Sequence, residues 1–96
     1  MIKTFGNALA EDLFNDRMTR AVRQFPPALR AGARRKLQML DDADTLHVLA
    51  ALPGNRFEKL TGDRKGPYSI RINDQWRVVF RWQDDVALDI LIEDYH

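Results

Sequence analysis

The sequence predicts an α/β (α+β) domain in which an N-terminal strand and two helices pack on one face of a mainly antiparallel sheet. Its 96 residues leave room for one domain with one modest hydrophobic core. In the first half of the chain, apolar residues recur at helical spacing. From Arg56 onward they alternate with a period of two between short turns, as in strands. We therefore treat residues 1–96 as a single domain.

The first half predicts a strand and then two helices. Ile2 to Phe5 is a short apolar run that suits a first strand. Asn7 is a good N-cap for the first helix. Apolar residues of this helix fall at helical spacing, namely Leu9, Leu13 and Phe14. The Pro26-Pro27 pair interrupts the chain, and Pro27 suits the first turn of the second helix.

The second predicted helix carries one apolar stripe, which we expect to pack on the sheet. The stripe consists of Leu29, Ala33, Leu37 and Leu40. The other faces carry Arg30, Arg34, Arg35 and Lys36. We interpret these basic residues as a solvated face rather than a partner contact. A further helical turn is predicted over Thr45 to Leu52, and His47 within it is interpreted as a partly buried packing residue without a functional role.

The second half predicts an antiparallel meander of four strands. These strands are Arg56 to Leu60, Tyr68 to Ile72, Trp76 to Trp82 and Val86 to Glu93. Alternation gives the sheet one apolar face under the helices. That face is predicted to comprise Tyr68, Ile70, Ile72, Trp76, Val78, Phe80, Trp82, Val86, Leu88, Ile90 and Ile92. The opposite face carries the arginines.

Composition excludes several classes of site and location. The chain has no cysteine, which excludes disulfides and thiolate metal sites and is compatible with a reducing cytosol. Two histidines are too few for a histidine-built zinc site. No apolar stretch approaches the ~20 residues of a membrane span, and the N-terminus lacks the apolar core of a signal peptide. We expect a cytoplasmic protein without a metal, a cofactor or a membrane partner.

Charge is distributed unevenly along the predicted sheet. Residues 56–81 carry seven Lys and Arg against three acidic residues, and residues 82–96 carry five acidic residues without any Lys or Arg. A basic segment followed by an acidic last strand suggests a face built for an anion. Solvated strands with cross-strand ion pairs explain the pattern equally well.

The hairpin geometry brings two arginines and the C-terminus to one end of the sheet. If residues 73–75 form the loop, Arg71 lies opposite Arg77 on the exposed face. Like charges directly across strands are destabilising, so a bound anion is an economical explanation of the pair. Arg77 begins its strand where the next strand ends, beside the terminal Asp94-Tyr95-His96. A carboxylate, a phenol and an imidazole are groups used in general acid–base catalysis.

Two sequence blocks resemble a known family. Residues 55–80 read NRFEKLTGDRKGPYSIRINDQWRVVF, and the chain closes on EDYH. These blocks, the opening MIKTF and the PPALRAGARRKL helix resemble the HigB-type toxins, the plasmid maintenance killer branch of the RelE superfamily. The resemblance spans essentially the whole chain.

The resemblance implies a compact RelE-like fold and a defined activity. Family members are ribosome-dependent endoribonucleases that cleave mRNA in the A site without a metal. The ribose 2′-OH attacks the phosphate and leaves a cyclic phosphate. A HigA-type antitoxin with a helix-turn-helix domain holds the toxin inactive, and operator DNA is bound only through that antitoxin.

The resemblance also assigns roles to individual residues. Arg77 stands in the family's W-R motif, which implies contact with the phosphate in the transition state. Asp94, Tyr95 and His96 match the terminal acid–base and positioning residues, and Tyr95 could alternatively stack on a base. The RNA-binding residues that we expect are Lys59, Arg64, Lys65 and Arg71.

Two positions depart from the family pattern, and two other functions stay open. Glu58 replaces a histidine found in some relatives, and Thr61 replaces a lysine. Loss of one positioned charge donor costs about 10²–10³ in rate, so a milder toxin is expected.

One alternative is a ParE-like toxin, which poisons DNA gyrase with the same fold. The other is a non-enzymatic module that binds RNA or protein.

Overall fold

The computed structural model describes residues 1–61 and 66–94 and confirms the predicted α+β class. Four α-helices precede the sheet: α1 (Ala8–Phe14), α2 (Arg20–Gln24), α3 (Pro27–Asp42) and α4 (Leu46–Ala50). A 3₁₀ turn, Pro53–Asn55, leads into the strands. The strands are β1 (Glu58–Lys59), β2 (Tyr68–Arg71), β3 (Trp76–Gln83) and β4 (Val86–Asp94). No helix among these residues is long and apolar enough to cross a membrane.

The sheet is the predicted antiparallel meander. Its strand order is β1-β2-β3-β4, and every neighbouring pair is antiparallel. The N-terminal segment lies beside β4 in parallel orientation, as two isolated bridges that join Ile2 to Ala87 and Phe5 to Ile90. Asp89 lies between these bridges with a φ of 52°. Residues 2–5 therefore lie where the first strand was predicted, but they form two isolated bridges instead of a strand, because this left-handed residue interrupts the ladder with β4.

A side-chain cap begins α1 where the sequence indicates. The Asn7 Oδ1 accepts the Ala10 backbone N–H at 3.0 Å, and the Asn7 Nδ2 donates to the Ile92 carbonyl at 3.0 Å. Asn7 thus caps α1 and attaches it to β4. Pro27 is the first residue of α3, as predicted. Helix α2 was not predicted, because five residues are too few to show a helical period; Thr19 is its N-cap.

The hydrophobic core forms between α3 and the sheet. Ala33, Leu37 and Leu40 of the predicted stripe are buried. They pack in one cluster with sheet residues that include Ile70, Val78 and Phe80. The interpretation of His47 as a partly buried residue is wrong, since this side chain is exposed. Helix α4 is one turn long and buries Leu49 instead.

A β-bulge changes the phase of β4. We predicted Val86 and Leu88 on the core face, but Ala87 is the fully buried residue there. The register of β3 with β4 shifts between Val79 and Arg81. An extra residue in one strand displaces every side chain beyond it to the opposite face. Ile90 and Ile92, on the other side of the bulge, are buried as predicted.

Gly6 lies so close to the bulge at Asp89 that a larger residue there is expected to lower the stability of the protein. A Cβ at Gly6 would lie 2.9 Å from the Asp89 carbonyl oxygen and 3.2 Å from the Leu91 Cδ2. Because the first contact is with backbone, we expect Gly6→Ala to lower the free energy of unfolding by about 1–3 kcal/mol. Gly54→Ala is the matched control, since a Cβ at Gly54 meets nothing within 4 Å. Urea denaturation of both variants tests this, and equal stabilities would contradict the steric account.

Candidate active site

Arg77 lies where the sequence predicts, but it is buried. It pairs with Arg71 of β2 on one side and with Glu93 of β4 on the other. The predicted cross-strand arginine pair is therefore confirmed. The expectation that Arg77 is exposed is wrong, because only 7% of this residue is accessible.

Hydrogen bonds hold the Arg77 guanidinium against β2 and the segment before β1. Its Nε donates to the Ser69 Oγ at 2.9 Å, and its Nη2 donates to the Arg56 carbonyl at 2.5 Å. The Nη2 also lies 3.3 Å from the Ser69 carbonyl. These acceptors explain the burial: a long side chain on an outer strand face covers its neighbour instead of extending into solvent. The guanidinium is thus fixed in orientation before any ligand binds.

Arg56 connects the loop before β1 to Arg77. It has a φ of 40° and ψ of 55°, in the left-handed region that residues other than glycine rarely adopt. This conformation ends the 3₁₀ turn and presents the Arg56 carbonyl to Arg77. The Arg56 side chain is exposed. The strained backbone is therefore stabilised by the same hydrogen bond that orients the guanidinium.

Arg71 has a carboxylate partner. Its Nη2 lies 2.6 Å from the Asp74 Oδ1. The hydrogen bond and charge of Arg71 hold the pKa of Asp74 below its ordinary value, and the charge of Arg56 adds to this effect. Asp74 and the neutral acceptors of Arg77 therefore reduce the repulsion between the two arginines. The pair has a structural explanation that does not require a bound anion.

Lys36 joins these cations from α3. Its Nζ donates to the Asn55 Oδ1 at 2.5 Å. Burial lowers the pKa of Lys36 below its ordinary value, and the charges of Arg35 and Arg71 lower it further. The interpretation of Lys36 as part of a solvated face is thus wrong, because the side chain is partly buried and anchored.

Asn55 provides a rigid anchor for Lys36. It is fully buried, and its Nδ2 donates to the Leu49 carbonyl at 3.0 Å and lies 3.2 Å from the Met39 sulfur.

We call Lys36, Arg56 and Arg71 the cationic edge. Sequence reasoning did not assign Lys36 or Arg56 to the site. Their spacing along the chain carries no periodic signal. Arg56 stood out only as the second residue of the sequence block that resembles the family.

The end of β4 adjoins the start of β3, as predicted. Asp94 pairs with Trp76, and its Oδ2 accepts a hydrogen bond from the Gln75 Nε2 at 2.9 Å. Asp94 is exposed and lies one position along the ladder from the pair of Arg77 with Glu93. Strand alternation places Glu93, rather than Asp94, on the face of Arg77. Tyr95 and His96 lie outside the described residues.

Of the remaining RNA-binding predictions, Lys59 is the one that falls within the described residues. Lys59 is exposed and pairs with Tyr68, whereas Glu58 pairs with Ser69. Alternation therefore places Glu58 on the face of Arg77 and Lys59 on the opposite face. Arg64 and Lys65 lie outside the described residues. Within residues 1–61 and 66–94, no group of three or more His, Cys, Asp or Glu side chains could hold a metal ion.

Comparison with known proteins identifies the family. A family model described as the RelE-like toxin of the type II toxin–antitoxin system HigB matches residues 3–96. Toxin HigB-1 of Vibrio cholerae is 42% identical over 73 residues, which cover 76% of this chain and 77% of that protein.

Solved structures show the same fold at low sequence identity. The YoeB–YefM complex from Staphylococcus aureus matches with a TM-score of 0.59 and 19% identity, covering 100% of this chain and 98% of that chain. The Staphylococcus aureus YoeB dimer matches with a TM-score of 0.61 and 21% identity, covering 99% and 97% of the respective chains. The family model, the curated relative and the shared fold agree, and the chain belongs to the HigB-like, RelE-like toxins of type II toxin–antitoxin systems.

Proposed function

We propose that this toxin is a ribosome-dependent, metal-independent endoribonuclease that cleaves mRNA in the ribosomal A site. The observation that carries this proposal is the buried guanidinium of Arg77, which is oriented by Ser69 and Arg56 beside the end of β4. A preorganised cation stabilises the charge that develops on a phosphate in the transition state. The family resemblance supplies the reaction class, attack of the ribose 2′-OH on the adjacent phosphate.

The proposed reaction divides its tasks among the residues at this end of the sheet. Arg77 contacts the scissile phosphate in the transition state. Asp94, Tyr95 and His96 supply the base for the 2′-OH, the acid for the leaving 5′-oxygen and the positioning of these groups. Arg71 binds RNA beside Arg77, Lys59 binds it from the opposite face of the sheet, and Arg64 and Lys65 are further RNA-binding residues. The ribosome supplies most of the substrate positioning, which accounts for a domain this small.

The proposed partners follow from the toxin–antitoxin assignment. YoeB of Staphylococcus aureus forms a complex with YefM. By analogy we propose that a HigA-type helix-turn-helix antitoxin binds and inactivates this toxin, and that operator DNA is bound only through that antitoxin. The toxin acts in the cytoplasm, where its mRNA and ribosome partners are. Co-expression with such an antitoxin is expected to restore growth, and continued growth arrest would contradict this assignment.

Mapping of RNA ends after brief expression tests the activity. We expect new 5′ ends in phase with codons, in translated messages only, within minutes of induction. A message whose start codon is removed is the matched control and is expected to stay intact. DNA damage without RNA cleavage would instead indicate a ParE-like gyrase poison, which the HigB and YoeB similarities do not support. RNA binding that survives every acid–base substitution, without cleavage, would indicate a non-enzymatic module.

A further inference from the structure

Lys36 occupies a position that stability alone does not explain. Its ammonium is partly buried against the fully buried Asn55, where a neutral donor would satisfy the same amide oxygen. Burial and the charges of Arg35 and Arg71 disfavour its charged form. An ammonium group has more than one N–H donor. The bond to Asn55 therefore fixes the position of Lys36 and leaves it able to donate to another acceptor.

Arg56 has a similar arrangement. Its left-handed backbone is fastened by the hydrogen bond from Arg77 to its carbonyl, and its side chain is exposed. Asparagine tolerates the left-handed region better than arginine. Backbone geometry therefore does not require arginine here. The guanidinium that this position presents is available for an anion.

The cationic edge is continuous with the proposed active site. Arg56 is hydrogen-bonded to Arg77. Arg71 is the cross-strand neighbour of Arg77, so their Cα atoms are about 5 Å apart. The charge of Arg71 also acts on Lys36. Lys36 also donates to Asn55, the residue that precedes Arg56, so the three cations and Arg77 form one connected group.

We propose that Lys36, Arg56 and Arg71 form a second phosphate subsite, which binds an RNA backbone phosphate adjacent to the scissile one. This proposal rests on the proposed ribonuclease function. The ligand is a phosphodiester group of the single-stranded message that is cleaved. The buried Asn55 positions Lys36, Arg77 fixes the backbone of Arg56, and the exposed carboxylate of Asp74 holds Arg71, so the subsite is preorganised.

Two variants test the subsite without requiring cleavage. Lys36→Gln removes the charge and keeps an N–H donor for Asn55. Arg56→Asn removes a charge and keeps the left-handed backbone, so it is expected to fold. Lys3→Gln is the matched control, since it removes one exposed charge from the segment beside β4, at the opposite edge of the sheet. Lys36→Arg restores the charge and is expected to restore most of the binding.

Binding is measured by fluorescence anisotropy with a 2′-O-methyl oligonucleotide, which cannot be cleaved, and separately with empty ribosomes. We expect each subsite variant to weaken binding about tenfold and to reduce the slope of log K against log salt by about 0.7. Lys3→Gln is expected to leave both unchanged. Loss of binding to the oligonucleotide supports the subsite, and loss with ribosomes alone would overturn it in favour of a contact with ribosomal RNA.

The alternative is that Lys36 only stabilises the fold. In that case Lys36→Gln would shift the melting temperature while binding of both probes stayed unchanged, and Arg56→Asn would bind like the wild type. That result overturns the subsite, even if codon-phased cleavage by the wild-type toxin is intact. Conversely, if the wild type binds RNA and the variants lose binding, but no message is cleaved, the subsite stands and the proposed nuclease function fails.

Discussion

Arg77→Ala is expected to abolish growth inhibition and to reduce cleavage at a mapped codon by about 10²–10³. The reason is that Arg77 is the one site residue whose guanidinium is shown to be held by three acceptor contacts in the described structure. Removal of a preorganised cation leaves the developing phosphate charge without its designed partner. Primer extension on a translated message after induction measures this loss.

The burial of Arg77 makes a stability control necessary. Arg77→Ala leaves the Ser69 hydroxyl and the Arg56 carbonyl without this donor, which costs about 1–3 kcal/mol. Ser69→Ala is the matched control, because it removes one of these hydrogen bonds and keeps the guanidinium. We expect Ser69→Ala to be destabilised by about 1 kcal/mol and to lose much less cleavage than Arg77→Ala, because the guanidinium and its bond to the Arg56 carbonyl remain. A folded Arg77→Ala variant with full toxicity would refute the site assignment.

Deletion of Tyr95 and His96 is the second variant with a large expected effect. If these residues supply the acid and base, each contributes about 10²–10⁴ to the rate, so the truncated toxin should permit normal growth. The fold should persist, because β4 extends to Asp94 and its core residues Ile90 and Ile92 precede the deletion. Growth after induction and thermal unfolding of the truncated protein measure the two parts of this prediction.

Single substitutions refine the same experiment. Tyr95→Phe keeps an aromatic ring and removes the phenol, so it separates stacking on a base from proton transfer. His96→Gln removes the imidazole while keeping a polar side chain. We expect both to reduce cleavage, and an active Tyr95→Phe would assign Tyr95 to stacking. Undiminished toxicity of the double deletion would exclude the tail from catalysis.

Local patterns in the sequence were sufficient for the sheet and for its central pairing. The period of two and the turn residues placed β2, β3 and β4, and counting across residues 73–75 gave the pairing of Arg71 with Arg77. The strand positions and this pairing both depend on residues that are close in the sequence, because alternation and turn length fix which residues lie opposite each other. The Asn7 cap and the start of α3 at Pro27 were predictable for the same reason.

The tertiary structure decided what the long side chains contact. Lys36 reaches Asn55, 19 residues away, and Arg77 reaches the Arg56 carbonyl, 21 residues away. Periodicity assigns a residue to a face, but it does not show whether a long side chain extends into solvent or lies across the next strand. It also cannot locate a bulge such as the one at Asp89, which depends on the paired strand.

By itself the sequence thus determined the fold class, the strand register around Arg77 and the family resemblance. Only the tertiary structure showed that Arg77 is buried and bonded to the Arg56 carbonyl, and that Lys36 is anchored on Asn55. The physical reason is that register follows from local alternation, whereas the orientation and charge environment of a side chain depend on groups that only folding brings together.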